Sequence, residues 1–187
     1  MALLRTTAPR ILDFDCENRP LSYLGGDFTT PEITAIAWKF LDQRNPTVRL
    51  LPEDTIEEML HEFSVAYVES HIVTGHNIRK HDLPLLNAML LEAGMAPLPP
   101  KLVCDTYADL KRRSPGFGSQ ATLAEMLGIK APKVGMSTVA WRDANRLNPK
   151  GVDKTRLRVV GDVRQHEMLR KRLVALGWLR PPRIWVP

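Results

Sequence analysis

The most constraining feature of the chain is a short segment, Arg10–Glu17, in which apolar and acidic residues alternate. A period of two residues is typical of a β-strand, because successive side chains of a strand point to opposite faces of its sheet. The segment therefore predicts a strand with one apolar face and one acidic face. The acidic face carries Asp13, Asp15 and Glu17.

Local patterns also predict the elements that follow. The segments Glu32–Phe40 and Thr47–Leu51 read as two more strands, which would form an antiparallel meander with the first. Thr55 and Glu58 form a capping box before an apolar stripe with a 3.6-residue period, which predicts a helix. The remaining predicted elements are strands at 71–75 and 101–104 and helices from Asp82, over Ala121–Leu127, and from about Lys154 or Val159 to Leu176.

This order of elements predicts an α/β fold. Three sequential strands followed by strand–helix–strand units indicate a mixed sheet with helices packed on it. No linker interrupts the pattern, so a single domain over residues 1–187 is expected. Residues 178–187 are rich in Pro and Trp and are expected to run irregularly over the surface.

The composition excludes several classes of protein. Hydrophobic residues make up 44% of the chain, which is too many for a disordered protein. No apolar run approaches the ~20 residues that cross a bilayer, and the first ten residues lack the pattern of a signal peptide. We therefore expect a cytoplasmic protein without a membrane partner. Cys16 and Cys104, each in an apolar strand-like segment, are expected to be reduced and buried.

Charge is distributed unevenly along the chain. Residues 1–100 hold 8 Lys and Arg against 14 Asp and Glu, whereas residues 101–187 hold 18 against 7. Such a surplus fits a solvated basic face, but its size favours a polyanionic partner. Nucleic acid is the first candidate for that partner.

Asp15 and Glu17 are the first candidates for chemistry. Two carboxylates on the same face of one strand repel each other unless a cation lies between them. The pair fits either a metal site or the solvent-facing positions of an edge strand. The strongly apolar residues that flank the pair favour the metal site.

Two further carboxylates lie at informative positions. Asp82 belongs to the segment Gly75–Pro84, which leaves a predicted buried strand and enters a helix. Ligands of α/β sheets bind at such positions, although Asp82 also suits a simple helix N-cap. Asp162 lies in the last predicted helix between apolar neighbours. A carboxylate buried there is costly without a partner, and a surface position is the alternative.

Together these motifs resemble those of a known family. D-x-E on the first strand, N-x(4)-D-L-P after the fourth and G-D-V in the last helix resemble the DEDD-type 3′–5′ exonucleases of the ribonuclease H-like superfamily. The resemblance is strongest to the subgroup found in phages and related to B-family polymerases, and it extends from Arg10 to about Leu176. It implies a ribonuclease H-like mixed sheet, an antiparallel meander plus parallel strands, with helices on both faces.

The resemblance also implies a mechanism with two divalent ions, Mg²⁺ or Mn²⁺. In the family, one ion readies a water for attack on the terminal phosphodiester and the other stabilises the leaving 3′ oxygen. Carboxylate oxygens are the ligands that such ions prefer. By the same match, Asn77 helps to position the substrate strand, and the catalytic metal ligands are Asp15, Glu17, Asp82 and Asp162.

The sequence departs from the family's pattern just before Asp162. The family places a Tyr four residues before this Asp, or a His five before it, to orient the attacking water. Arg158 and Leu157 occupy these positions here, and Asn18 replaces the Thr that commonly follows the D-x-E motif. Arginine stays protonated and cannot act as a base, so we predict that Arg158 binds the substrate phosphate.

Two alternatives concern the same region. His166 lies one helical turn beyond Asp162 and is the histidine to test as a base. The segment Thr138–Ala144 resembles the pattern of the family's His subgroup, with Thr in place of His, and would make Asp143 the fourth carboxylate. The motif around Asp162 and the upstream Trp141 fit the other subgroup better.

The leading functional prediction is a metal-dependent 3′–5′ exonuclease. It would act on the 3′ ends of single-stranded DNA or RNA, with DNA favoured and with replication proteins as further partners. The alternatives are a nucleic-acid-binding module of the same fold with weak or no catalysis, an RNA-trimming exoribonuclease, and an endonuclease of the ribonuclease H or resolvase type. The missing Tyr or His supports the binding module, whereas four intact carboxylates argue against it because unpaired carboxylates repel each other.

Overall fold

A computed structural model describes residues 8–20, 31–113, 116, 118–131 and 134–187 of the chain. Residues 1–7, on which the expectation about a signal peptide largely rests, lie outside the described residues. In chain order the elements are β1 (Ile11–Arg19), β2 (Glu32–Phe40), β3 (Thr47–Leu50), α1 (Ile56–Glu69), β4 (Ile72–Gly75), α2 (Asp82–Glu92), β5 (Lys101–Asp105), α3 (Thr106–Lys111), α4 (Gln120–Met126), α5 (Thr138–Asn145), α6 (Pro149–Ala175) and β6 (Arg183–Trp185).

The six strands of the described residues form one mixed sheet in the order β3-β2-β1-β4-β5-β6. β1 pairs with β2 antiparallel and with β4 parallel, and β4 in turn pairs with β5 parallel. The predicted α/β class and the antiparallel meander of β1, β2 and β3 are therefore confirmed. The carboxyl ends of β1, β4 and β5 meet at one edge of the sheet, which is where ligands of such sheets bind.

Helices cover both faces of the sheet, as predicted. On one face the apolar side chains of β1 pack with α1 and α2, and the rings of Phe14 and Phe63 lie 5.0 Å apart. On the other face Ala35 and Ala37 of β2 form a buried cluster with Val159 of α6. The short alanine side chains let α6 lie close to the sheet, on the face that carries the acidic residues of β1.

Helix α6 is longer than predicted, since it begins at Pro149 and not at Lys154 or Val159. Proline suits the first turn of a helix because its φ is already helical. This start is difficult to predict from the sequence because Gly151 lies close to it, and glycine disfavours a helix interior. In the structure, a Cβ atom at Gly151 would lie 2.3 Å from the backbone nitrogen of Ala144. Glycine is therefore required where α6 crosses α5.

Three elements were not predicted, namely the short helices α3 and α5 and the strand β6. The prediction of an irregular C-terminal tail is wrong for β6, which pairs antiparallel with β5 and places Ile184 opposite Leu102. Trp185 of β6 is buried in the main core. Cys16 and Cys104 are buried and form no disulfide, as predicted. None of the described helices combines the length and the apolar composition that a membrane span needs.

Candidate metal centre

Strand β1 presents Asp15 and Glu17 to the face covered by α6. The pairing of β1 with β2 shifts by one residue just beyond Glu17, which lies opposite Ala35. Thr34 is the extra residue on β2, and its hydroxyl donates a hydrogen bond of 3.2 Å to the carbonyl of Glu17. An extra residue of this kind bends a strand and changes the direction of nearby side chains. The irregularity therefore lies beside a predicted metal ligand.

Helix α6 brings Asp162 to the same place. Among the described residues, three carboxylate oxygens lie within 4.8 Å of one another, one each from Asp15, Glu17 and Asp162. The Gln120 side chain of α4 donates a hydrogen bond of 2.9 Å to the backbone carbonyl of Asp162, which fixes α6 at this point. Asp162 and Glu17 are buried, whereas Asp15 is half-buried. We call these three carboxylates the acidic cluster.

The acidic cluster suits a hard divalent cation. Each member offers carboxylate oxygens, the ligand type that Mg²⁺ and Mn²⁺ prefer. Three carboxylates at this separation repel one another, and a cation between them lowers that repulsion. The residues present therefore fit the metal binding that the sequence implied.

Asp82, the fourth predicted ligand, lies against β1 but outside the group of three. It is the first residue of α2, and its Oδ1 accepts a hydrogen bond of 3.1 Å from the backbone N–H of Cys16. Burial raises the pKa of Asp82 to about 6. The alternative that Asp82 is a simple N-cap is wrong, since the N-cap residue of α2 is His81. Asp82 thus contacts the strand segment between the two carboxylates of β1.

Arg158 lies over the acidic cluster, one helical turn before Asp162. Its Nε donates a hydrogen bond to the carboxylate of Glu17, and its Nη2 lies 3.8 Å from Oδ2 of Asp162. Its Nη1 donates to the carbonyl of Val134 at 3.2 Å, and its Cζ lies 5.2 Å from the ring centre of Trp141. The position expected to orient water is thus filled by a cation that pairs with two predicted metal ligands.

Asn77 lies in the turn between β4 and α2 with a φ of 70°, a backbone conformation that Asn adopts more readily than most residues. Asp105, at the end of β5, holds this turn. Its two carboxylate oxygens accept hydrogen bonds from the backbone N–H groups of Asn77 at 2.9 Å and Arg79 at 3.0 Å. Asp105 is not among the site residues predicted from the sequence. An Asp directly after a predicted strand is nevertheless a recognisable signal at this edge of the sheet.

His166 contacts Asp13, which lies two residues before Asp15 on the acidic face of β1. Its Nδ1 lies 2.7 Å from Oδ1 of Asp13, and its Nε2 lies 3.1 Å from the hydroxyl of Thr106. His166 is 2% exposed. Because both ring nitrogens take part in buried hydrogen bonds, the geometry favours a structural role and does not support His166 as a base.

Asp143, the alternative fourth carboxylate, lies on α5. It accepts a hydrogen bond of 3.3 Å from the side-chain amide of Asn148, close to the start of α6. The three carboxylates that converge within 4.8 Å include Asp162 and not Asp143. Among the described residues, Asp162 and not Asp143 therefore belongs to the acidic cluster.

A pocket of about 380 Å³ adjoins Asn77 and extends along β5, α3 and β6. Asp105 and Asp109 also line it, and Asp109 pairs with Arg183 at 3.1 Å. Positive charge outweighs these two acids, so the lining suits an anionic ligand. We call this the basic pocket, and its cationic lining residues are Arg79, Lys80, Lys111, Arg112 and Arg183.

The chain is similar to known proteins in its fold and not in its sequence. Neither the models of known protein families nor the sequences of curated proteins match this chain. Among solved structures, the chain is similar to the family B DNA polymerase from the hyperthermophilic archaeon Pyrobaculum calidifontis, with a TM-score of 0.72 and 18% sequence identity. The similarity covers 92% of this chain and 25% of the polymerase chain, so this chain spans about a quarter of that protein's length. It confirms the predicted ribonuclease H-like fold.

Proposed function

We propose that the protein is a metal-dependent 3′–5′ exonuclease that hydrolyses phosphodiester bonds at the 3′ end of single-stranded nucleic acid. The observation that carries this proposal is the convergence of Asp15 and Glu17 from β1 with Asp162 from α6. Gathering like charges in a largely buried place costs free energy, which a bound divalent cation offsets. The carboxyl edge of a sheet in a ribonuclease H-like fold is a suitable place for such a centre.

In this proposal Asp15, Glu17, Asp82 and Asp162 hold two divalent ions, Mg²⁺ or Mn²⁺. When bound, such ions supply activation of the attacking water and stabilisation of the leaving 3′ oxygen. Asp82 would contribute from the first turn of α2, where its carboxylate already contacts the backbone of β1. The chain's own task is to hold these carboxylates at a fixed separation.

The substrate strand would lie between the acidic cluster and the basic pocket. Asn77 borders the basic pocket and follows β4, so it would position the nucleotide next to the scissile bond. Arg158, beside the cluster, would bind the substrate phosphate. The similarity to a DNA polymerase supports DNA as the substrate, with replication proteins as further partners.

The second candidate is a nucleic-acid-binding module of the same fold with weak or no catalysis. The observation that favours it is Arg158, which occupies the position of the expected water-orienting residue and pairs with Glu17 and Asp162. An exoribonuclease that trims RNA would use the same cluster and differs only in its substrate.

The test is incubation of the purified protein with single-stranded DNA and RNA labelled at the 3′ or the 5′ end, with Mg²⁺ or Mn²⁺. A 3′–5′ exonuclease releases the 3′ label first and gives a ladder of shortening products from the 5′-labelled strand. Binding without any metal-dependent product would instead favour the binding module. Internal cleavage of the labelled strands would indicate an endonuclease.

Two variants connect the result to the site. Asp162→Asn should abolish the ladder, because it removes a ligand charge from the acidic cluster. Asp153→Asn is the matched control, since it changes an exposed carboxylate on the same helix α6. Equal loss of activity in both variants would contradict the assignment of the cluster.

A further inference from the structure

The side chain of Arg158 is held in one place rather than extended into water. Among the described residues, four groups contact it: the carboxylates of Glu17 and Asp162, the carbonyl of Val134 and the ring of Trp141. Its side chain is only 16% exposed, whereas arginines on long helices usually extend their charged heads into solvent. The guanidinium is therefore a fixed part of the acidic cluster.

Arg158 and a divalent ion need the same oxygen atoms. The guanidinium remains charged at any physiological pH, and its Nε is hydrogen-bonded to Oε1 of Glu17. Mg²⁺ would lie about 2.0–2.1 Å from a carboxylate oxygen that it binds. Two cations that share one carboxylate at such distances repel each other strongly. Occupation of the cluster by an ion therefore opposes the present position of Arg158.

With the acidic cluster as the metal site of the proposed function, on which this step rests, we propose that Arg158 is an internal counter-ion that a divalent ion must displace. In the metal-free protein, Arg158 neutralises Glu17 and Asp162 and so stabilises the folded state. On metal binding, its guanidinium leaves these two carboxylates and becomes available to a phosphate of the nucleic acid. Metal and phosphate-bearing strand then bind cooperatively, since each favours the same position of Arg158.

The first measurement is the affinity for Mn²⁺ alone, by isothermal titration calorimetry, of the parent protein, Arg158→Met and Arg156→Met. Arg158→Met should bind Mn²⁺ roughly 10- to 100-fold more tightly than the parent, because the Arg158 guanidinium no longer competes for Glu17 and Asp162. Arg156→Met should bind like the parent. Arg156 lies two residues earlier on α6 and pairs with Glu53 instead.

The second measurement is the melting temperature without metal. Arg158→Met should melt below the parent, because Glu17 and Asp162 lose the counter-charge that Arg158 supplies. Addition of Mn²⁺ should then raise the stability of the variant by more than it raises that of the parent. If Arg158→Met does not fold, Arg158→Gln serves the same comparison, since it keeps hydrogen-bond donors while it removes the charge.

The outcomes separate this proposal from the proposed function. If the parent binds Mn²⁺ and removal of the Arg158 charge leaves the affinity unchanged or lower, the counter-ion role is overturned while the metal site stands. If neither the parent nor the Arg158 variants bind Mn²⁺, the metal site itself is wrong and the counter-ion role fails with it.

Discussion

At the scale of single residues, the candidate site consists of charged side chains that lie close together. The acidic cluster gathers three carboxylates, Asp82 lies buried against the adjoining backbone, and Arg158 brings one positive charge to them. Arg158 pairs with Glu17 and Asp162, and Asp82 contacts the backbone of β1 between Asp15 and Glu17. Changes of one charge at a time are therefore the most direct tests of the site.

Asp15→Asn should abolish metal-dependent activity without unfolding the protein. The substitution removes a metal ligand but also lowers the repulsion within the acidic cluster, so the free energy of unfolding without metal should stay equal or rise. Melting curves with and without Mn²⁺ check both parts, since Mn²⁺ should raise the melting temperature of the parent and not that of the variant. Near-normal activity in Asp15→Asn would contradict the assignment.

Asp82 should make the stability of the metal-free protein depend on pH. Burial raises its pKa to about 6 in the folded protein, above the ordinary value of 3.8. The folded state therefore binds this proton more tightly than the unfolded state, which stabilises the fold at low pH. This contribution is lost as the pH rises through about 6.

Asp82→Asn should remove that dependence, because the amide does not titrate. As the pH rises from 3.5 to 7, the free energy of unfolding of the variant should increase relative to that of the parent by about 3 kcal/mol. Urea denaturation over this pH range measures the difference. Asp153→Asn, which changes an exposed carboxylate of α6, is the control, and a flat difference between Asp82→Asn and the parent would contradict the raised pKa of Asp82.

At the scale of elements, α6 determines the geometry of the site. It carries both Arg158 and Asp162, and its position depends on close contact with the alanines of β2 and with α5. The close approach to α5 occurs at Gly151, near the start of the helix. Substitutions there should change the stability of the helix packing.

Gly151→Ala should destabilise the protein by about 1–3 kcal/mol, since the added methyl would overlap the backbone of α5. Gly161→Ala is the matched control on the same helix. The nearest atom to a Cβ at Gly161 lies 4.0 Å away, so alanine should stabilise the helix there by about 0.5–1 kcal/mol. Chemical denaturation compares the two variants, and equal effects would contradict the close packing of α5 and α6.

At the scale of the whole molecule, charge is the property that points to a partner. The basic surplus of residues 101–187 contributes three of the five cations of the basic pocket. Asn77 and Asp105 place one part of this pocket at the carboxyl ends of β4 and β5. A single strand that enters the cluster would pass this pocket. Long-range electrostatics should therefore control binding of the strand.

Binding of a single-stranded oligonucleotide should weaken steeply with salt, because each phosphate contact releases counter-ions. The double variant Lys80→Glu with Arg112→Glu should bind more weakly, and its slope of log affinity against log salt should be shallower by at least about 1.4. Lys130→Glu, exposed and on a different groove, is the control. Fluorescence anisotropy at about 50 to 200 mM salt measures the affinity of the parent, the double variant and the control. Equal slopes for the parent and the double variant would show that the strand does not bind at the basic pocket.

Patterns within short segments of the sequence predicted several of the strands and helices. The alternation along β1 predicted its strand and put Asp15 and Glu17 on one face, and the capping box of Thr55 and Glu58 predicted the start of α1; both are confirmed. Such features can be read from sequence because their causes, side-chain period and cap hydrogen bonds, act between near neighbours. The order of the elements then predicted the mixed sheet.

Only the tertiary structure decided which distant groups meet. The sequence could not show that Arg158 pairs with Glu17, that His166 turns to Asp13, or that three residues near the C-terminus complete the sheet as β6. These contacts depend on where α6 crosses β1 and on which strand edge remains open for pairing. Both are properties of the packed whole, since a side chain's partner is set by the elements that surround it and not by its neighbours along the chain.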